Sequence, residues 1–553
     1  MWIFFKFVSI SLAISLSYSA ILSGQEISAK LKAIVIHSSS KNVVVGGYDS
    51  EAYKGINFLN VYPPDPSTLV EKLTAFIDQP FNKEDLENLK QQIILHYRDG
   101  DYPVVDVFES PQSIRNDIIQ LVALESKLDK LLIEGNQYFS SEQIENFLDL
   151  KSGEKINQKD LNSKLEQLNK NPYKTVDISY EDGEEKASTN AIVNVDDKIP
   201  LKYTITFEDT GNAITEDERL TASFNWGNVL NKGHVLNYSY SGDPMAKYLK
   251  SHSLSYSINF PWGHDLSLSA NYARNGADLP DPSLNVGGKS WGGSLNYTLP
   301  LPSIFNLENY VQTLTAGYNF SRSNNLLEFN QIQVSNTLTD TSEFKFTYSG
   351  NAPDPLGFTI FSSTLTYSPG GMTGHNSDAE LITAGSAGSN YSSLLFNLNR
   401  ITLLPQNWTW NATAQYQMAS SNLPGGGKMG SGGFMTLPGY DEREANGDRG
   451  FIFFTDLTTP PVSLSKFFKK EWADQISGRF FWGYSDIRVK QINESSINPN
   501  ISMMSIGSGI RYNVGPFVNF RFDHGWQLKD SDTSPLTRRA GNSRGHFSLS
   551  VSY

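Results

Sequence analysis

The segment NWTWNATAQYQM, residues 407–418, decides the fold. Trp408, Trp410, Ala412, Ala414, Tyr416 and Met418 fall on one side of an extended chain. Asn407, Thr409, Asn411, Thr413, Gln415 and Gln417 fall on the other. Side chains of a strand alternate between faces with a period of two, so this is a strand with one apolar and one small polar face. The same period runs through Leu220–Trp226, Ser253–Phe260, Leu266–Tyr272 and Leu314–Phe320. A soluble sandwich would also show one wet face. Three features point elsewhere: strand lengths near the 9–11 residues that cross a bilayer, aromatics gathered at strand ends, and polar faces of Ser, Asn, Thr and Gln suited to a watery lumen. A closed barrel is the one sheet that can span lipid, because all its backbone groups are paired.

Roughly 17 strand-like windows lie between residues 199 and 553; joining Leu327–Leu338 with Phe344–Gly350 as one strand and its extension leaves about 16, the even number such barrels prefer. The chain's last segment, FSLSVSY, sets Phe547, Leu549, Val551 and Tyr553 on one apolar face. It resembles the C-terminal signal by which barrel proteins are recognised for insertion.

Composition narrows the remaining choices. The net charge of −13 and the lack of a long Lys/Arg block argue against nucleic acid as the main partner. Cysteine is absent, which excludes disulfides, Cys-ligated zinc and thiol catalysis. Met1–Ala20 reads as a secretory signal peptide: Lys6, a largely apolar Phe7–Leu16, then the small residues Ser17, Ser19 and Ala20. No later run is long and apolar enough for a spanning helix. Neither HExxH nor a phosphate-cradling GxxxxGK[ST] occurs, and the eight histidines are scattered. The expectation is a non-enzyme with no metal and no cofactor.

Between the signal and the barrel, helical periodicity dominates. Ser67–Ile77 and a helix capped by Asn82 lie between strands at Leu31–Ile36, Ile56–Val61, Val104–Phe108 and Ile118–Ala123. A second β-α-α-β-β order follows from Leu128 to Val195. The expected domains are residues 21–126 and 127–198, two α+β modules, ahead of a barrel over 199–553. The runs HYRDGDYPVV (His96–Val105), SPQSI (Ser110–Ile114) and LLIEGNQYFS (Leu131–Ser140) make the modules similar to POTRA domains. The resemblance implies periplasmic modules that bind unfolded clients by adding a strand to a sheet edge. It places Tyr97, Gly100, Tyr102, Pro111 and Gln112 at the family's recurrent positions, as candidate client-binding residues.

Within the barrel, residues 420–450 alternate nothing. LPGGGKMGSGG (Leu423–Gly433) leads into GGFMTLPGYDEREANGDRGF (Gly432–Phe451), a long connection of the kind that is functional or disordered. Signal peptide, two modules, barrel and this loop together resemble two-partner secretion transporters of the haemolysin-activator (ShlB/FhaC) type. Gly432, Gly433, Gly439, Tyr440, Glu442, Gly447, Asp448, Arg449 and Gly450 fill that family's lumen-loop positions. The resemblance implies capture of an unfolded exported partner in the periplasm and its secretion through the barrel, driven by folding outside. It also implies insertion by the barrel assembly machinery, contact with outer-membrane lipid and a monomeric state.

The sequence departs from the family pattern at the loop tip. Pro438 replaces the arginine that enters the lumen, and in FWGYS (Phe481–Ser485) Gly483 replaces the aspartate it pairs with. Losing both charges avoids leaving one unpaired in a poorly solvated lumen. Arg449 with Asp448 or Asp486 is a candidate substitute tether. Only about ten residues separate the signal from the first strand, too few at ~1.5 Å per residue for a helical plug across the pore. Readings that stay open are a barrel-assembly factor of the same superfamily, a passive porin and an outer-membrane enzyme.

Overall fold

The computed structural model describes residues 30–48, 53–185, 187–211, 215–277, 283–302, 310–330, 332–465, 473–490, 500–531 and 540–553. The expected signal peptide, and most of the short lead after it, lie outside the described residues. The chain divides into two compact units: residues 30–132, 149–162 and 178–193 form one; residues 133–148, 163–177 and 194–553 form the other.

The first unit begins with β1 (Ala33–His37), β2 (Gly55–Leu59), α1 (Pro66–Thr74), α2 (Lys83–Asp99), β3 (Val105–Phe108) and β4 (Ile118–Glu125). The sheet order is β2-β1-β4-β3, with β1 parallel to both its neighbours. Asn82 caps α2 by accepting from Glu84 and Asp85 N–H, while Asp85 accepts the Asn82 N–H, so both ends of the box are satisfied. Leu69, Leu73, Leu89, Ile93 and Tyr97 from the helices pack on Ile34, Ile36, Ile119 and Leu121 of the sheet. The second module follows as β5 (Lys127–Glu134), α3 (Ser141–Leu148), α4 (Gln158–Asn169), β6 (Lys174–Asp182) and β7 (Ser188–Asp197), with sheet order β5-β7-β6.

One lysine in this module is held at a cost. Lys174 is buried with its ammonium 4.6 Å over the Phe139 ring, and desolvation, offset in part by Asp197, lowers its pKa to about 8. The unfolded chain holds this proton more tightly than the folded one. The resulting penalty is full below about pH 8 and fades as pH rises towards the ordinary lysine value. Lys174→Met is expected to slow amide exchange of β6 in the full chain at pH 7 by at least about 10-fold. That gain should shrink above pH 8; equal protection at pH 7 would refute it.

The barrel strands are β8 (Leu201–Glu208), β9 (Arg219–Val229), β10 (His234–Gly242), β11 (Leu249–Asn259), β12 (Asp265–Gly276), β13 (Leu284–Leu301), β14 (Val311–Phe329), β15 (Ile332–Asp354), β16 (Gly357–Pro369), β17 (Asn390–Leu403) and β18 (Thr409–Ala419). A small ladder of β19 (Met429–Ser431) and β20 (Ala445–Gly447) intervenes. The wall resumes with β21 (Arg449–Thr458), β22 (Asp474–Arg488), β23 (Asn500–Val514), β24 (Val518–Gln527) and β25 (Ser543–Ser552). Sixteen strands close, β25 pairing with β8 over five residue pairs from Ser548↔Glu208 to Ser552↔Thr204. Exposed Trp410, Tyr416 and Met418 confirm that the apolar face of the decisive segment points outward.

One expected boundary was wrong. Leu327–Leu338 is not one strand: Leu327–Phe329 ends β14, a hairpin turns at Asn330, and β15 starts at Ile332 and runs unbroken to Asp354. The apolar pattern continues across the turn because Asn330, not glycine, adopts the left-handed conformation there.

Within the second unit, module residues grip one barrel rim. Asn171 Nδ2 donates to the carbonyls of Gly227 (2.6 Å) and Gly233 (3.0 Å), Asn228 Nδ2 donates to Tyr138 O (2.9 Å), and Lys170 pairs with Asp265 (2.8 Å). The Tyr173 ring would collide with any Cβ at Gly227. This rim is marked by the β9–β10 and β11–β12 turns; the 420–448 loop springs from the opposite rim.

Candidate functional site in the barrel lumen

From Ala419 the chain folds back into the barrel, forms the β19–β20 ladder and makes a tip over residues 432–444. Gly432, Gly433 and Gly439 have φ of 106°, 91° and 110°, a region closed to most side chains. At Gly439 the reason is also contact: the tip lies backbone to backbone on β24, and a Cβ at Gly525 would stand 2.1 Å from Pro438 O.

Polar contacts fasten the loop at both ends. At its base, buried Asp448 accepts the Leu423 and Lys490 N–H groups, each at 2.8 Å. Gly447 and Gly450 flank it where a Cβ would meet Arg488 O and Asp486 O. At the tip, Gln527 Nε2 donates to Gly439 O (2.7 Å) and Arg521 Nη2 to Phe434 O (2.9 Å), with the guanidinium 3.7 Å over the Phe434 ring. Arg544 pairs with Asp441, and Ser531 donates to Glu444. Glu442 turns inward on the loop and accepts the Phe434 N–H. Tyr440 is fully buried; its hydroxyl accepts Met504 N–H (3.1 Å) and lies 2.9 Å from Met504 O and 2.5 Å from Lys529 O.

Where an ion pair was expected, the tip is held by apolar packing. Leu437 is fully buried beside Gly483: a Cβ on Gly483 would come within 3.3 Å of Leu437 Cγ and 3.1 Å of the Phe454 ring. Leu437 and Tyr440 join Met429, Ala445, Ile452, Ile487, Ile501 and Met503 in one core inside the barrel. Next to it Ser431 and Ser485 share a hydrogen bond of 2.8 Å. The small residue at position 483 therefore makes room for the leucine.

The proposed Arg449 tether is corrected by the structure. Arg449 shares the phase of outward-facing Phe451 on β21, so its side chain leaves the barrel on the side away from the loop. Asp486 pairs with Arg488, and Asp448 binds backbone amides. Tyr440→Phe, which leaves Met504 N–H without this partner at a cost of about 1–3 kcal/mol, is expected to expose the loop to externally added protease. Arg449→Ala is expected to change nothing, and loop cleavage in that variant would restore the tether.

The lumen wall beneath the tip also departs from expectation. Small uncharged residues line most of β10–β18, as read, with Glu343 and Lys345 on β15 an inward pair at 3.1 Å, and the last strands point further charges inward. Buried Arg479 bridges Asp456 (2.9 Å) and Asp523 (3.0 Å), and Asp523 also takes Arg521 (2.6 Å). Buried His546 lies 3.3 Å from Asp209 and accepts the Gly439 N–H. A signal was available: Arg479, Arg511, Arg521 and Asp523 interrupt the uncharged polar phase of their strands. On the other side, a cavity of about 630 Å³ remains between the loop base, with Gly425–Gly427 and Arg443, and residues such as Asn319, Ser321, Thr341 and Gln415.

The module candidates serve their own fold. Tyr97 is 1% exposed, with its ring 6.2 Å from that of Tyr102. Gly100 closes α2 against Pro64, which a Cβ would strike. Gln112, beside exposed Pro111, exchanges two hydrogen bonds with the backbone of Gln120 (2.6 and 2.8 Å), occupying β4 where β3 does not reach. At the C-terminus, Leu549, Val551 and Tyr553 are exposed on the outer face, and Phe547 packs on Phe207 across the closing seam.

Comparison with known proteins gives a concordant picture. The family model described as haemolysin secretion/activation protein ShlB/FhaC/HecB matches residues 187–476. A POTRA model described as surface antigen variable number repeat matches residues 126–206. The outer membrane transporter CdiB of Dickeya dadantii is 22% identical over 395 residues, covering 70% of this chain and 68% of that protein. The heme/hemopexin transporter protein HuxB of Haemophilus influenzae is 20% identical over 463 residues, covering 80% and 77%. Among solved structures, CdiB from Escherichia coli superposes with a TM-score of 0.72 at 12% identity, over 98% of this chain and 93% of that one. CdiB from Acinetobacter baumannii gives 0.62 at 17% identity, over 95% and 90%.

Proposed function

We infer function from one premise: the chain belongs to the haemolysin secretion/activation protein family ShlB/FhaC/HecB. It is an outer-membrane β-barrel transporter of the two-partner secretion type, with POTRA modules in the periplasm, and it exports a partner protein. The rim gripped by the second module is then the periplasmic rim, and residues 420–448 are a surface loop folded back into the pore.

The observation that carries the secretion reading is the asymmetry of the lumen. The loop lies against β21–β25 through contacts that are all non-covalent, while β14–β18 opposite offer mostly Ser, Thr, Asn and Gln, with Glu343 and Lys345 paired to each other. Such a wall hydrogen-bonds any extended backbone and selects no sequence. In this reading an unfolded client adds as a strand to a module sheet edge, passes along that wall as the loop yields, and is drawn outward by folding at the surface. Tyr97, Gly100 and Gln112 shape the module, and the client meets main chain. The barrel acts as a monomer without covalent chemistry of its own. The segment Phe547–Tyr553 is what the barrel assembly machinery recognises.

The test is co-expression of the full chain with a large exported protein encoded beside it. The partner is expected in the medium only when the chain is present. Secretion that continues without it would reject the reading. Depletion of other barrels from the outer membrane would instead favour the assembly-factor alternative.

A further inference from the structure

We propose that the outer face of β11–β13, at the cell-surface rim, binds the phosphorylated glycolipid headgroup of the outer leaflet. The register of four neighbouring strands sets the outward side chains in rows. Tyr256, Leu268, Leu295 and Tyr318 form one row; Leu254, Ala270, Gly293 and Phe320 form the next towards the surface. Above them come His252, Tyr272, Trp291 and Arg322, an aromatic row of the kind that marks a membrane interface. The row above that is Lys250, Arg274, Lys289 and Asn324. Each row is two residues, roughly 6.6 Å along the strand, beyond the last, so the cations stand about one headgroup above the apolar band.

Three observations set this row apart from a solvated edge. First, the cations converge on a cavity of about 350 Å³ lined by Lys247, Lys250, Arg274 and Lys289, together with Asn275 and Asn324. Second, among the described residues Lys250, Arg274 and Lys289 enter no ion pair. Asp243 accepts the N–H groups of Lys247, Tyr248 and Leu249 (2.7, 2.8 and 2.6 Å), and Asp340 neutralises Arg322 at 2.6 Å. Third, this excess of positive charge among the described residues stands in a chain with a net charge of −13. Like charges side by side on neighbouring strands are destabilising unless an anion joins them. A guanidinium flanked by two ammonium groups matches a phosphate held at headgroup depth. The aromatic row beneath offers its rings to the first segments of the acyl chains.

The test uses the full chain in phosphatidylcholine nanodiscs, with bis-phosphorylated lipid A as probe and retained glycolipid counted by mass spectrometry. Lipid A is expected to bind at least 10-fold more tightly than its dephosphorylated form. Substituting all three cations (K250Q, R274Q and K289Q together) is expected to weaken binding about 100-fold, and R274Q alone about 5-fold. Arg449→Gln, an outward cation on the other side of the barrel, should have no effect, and heat-modifiable gel mobility checks folding. If the triple variant does not fold, R274Q and the dephosphorylated probe decide the matter. Unchanged binding in the variants, or displacement of lipid A by equimolar phosphatidylglycerol or inorganic phosphate, would overturn the proposal.

Discussion

A Gly483→Asp variant, recorded in planar bilayers, is expected to pass several-fold more current than the parent chain. A β-carbon at this position already comes within 3.1 Å of the Phe454 ring and 3.3 Å of Leu437, so the added carboxylate would be driven into the loop's apolar core. Position 438 is proline, and the Arg479 guanidinium, 5.0 Å from the centroid of the Phe454 ring, is already taken by Asp456 and Asp523. A buried charge without a partner costs about 3–5 kcal/mol, comparable to several of the loop's hydrogen bonds together. The tip should leave the lumen rather than bear that cost. Gly483→Ala, which adds volume but no charge, should shift the current far less. A closed pore in the aspartate variant would show that the leucine contact does not hold the tip.

The second large effect is expected at Asp523, and it concerns the wall. Asp523 is fully buried and receives both Arg479 and Arg521; Arg479 is itself 6% exposed. Asp523→Ala would leave Arg479 with Asp456 alone and Arg521 without its carboxylate partner, again a loss of about 3–5 kcal/mol. Arg521 also supports Phe434, so wall and loop should fail together. The expected result is loss of the heat-modifiable folded band and of protein in the outer membrane. Asp523→Asn, which keeps the shape and one acceptor, should lose less. Normal folded levels of Asp523→Ala would show that the charges are solvated by water and need no partner.

What could be read in advance follows from how far apart the contacting residues lie. Strand alternation is local, so Asn407–Met418 and its counterparts give the barrel and which face meets lipid. The conformations of Gly432, Gly433 and Gly439 are local too, and mark a sharply turning loop. The seat of the loop is not local. Gly439 meets Gly525 and His546, Arg544 meets Asp441, and Leu437 meets Gly483, all pairings set only once the barrel has closed. A missing ion pair in the sequence suggests a substitute charge such as Arg449; only the strand's phase shows that Arg449 faces outward and that a leucine took over. Likewise, the module motif around Tyr97 and Gln112 is visible as a pattern, but only the buried ring and the amide pairing with Gln120 reveal its structural role.

The seam between β8 and β25 has a consequence for the lipid around it. An eight-residue strand such as Leu201–Glu208 extends roughly 26 Å, and at the tilt usual for such barrels covers only about 20 Å of membrane normal. The hydrocarbon layer of an average bilayer is about 30 Å thick, and β14 and β15, at 19 and 23 residues, rise well beyond it. Hydrophobic mismatch is therefore concentrated on one side of the barrel. Acyl chains must shorten and disorder beside Tyr203, Ile205, Leu549 and Val551, and the bilayer is thinnest and most easily deformed along the line where the barrel's first and last strands meet.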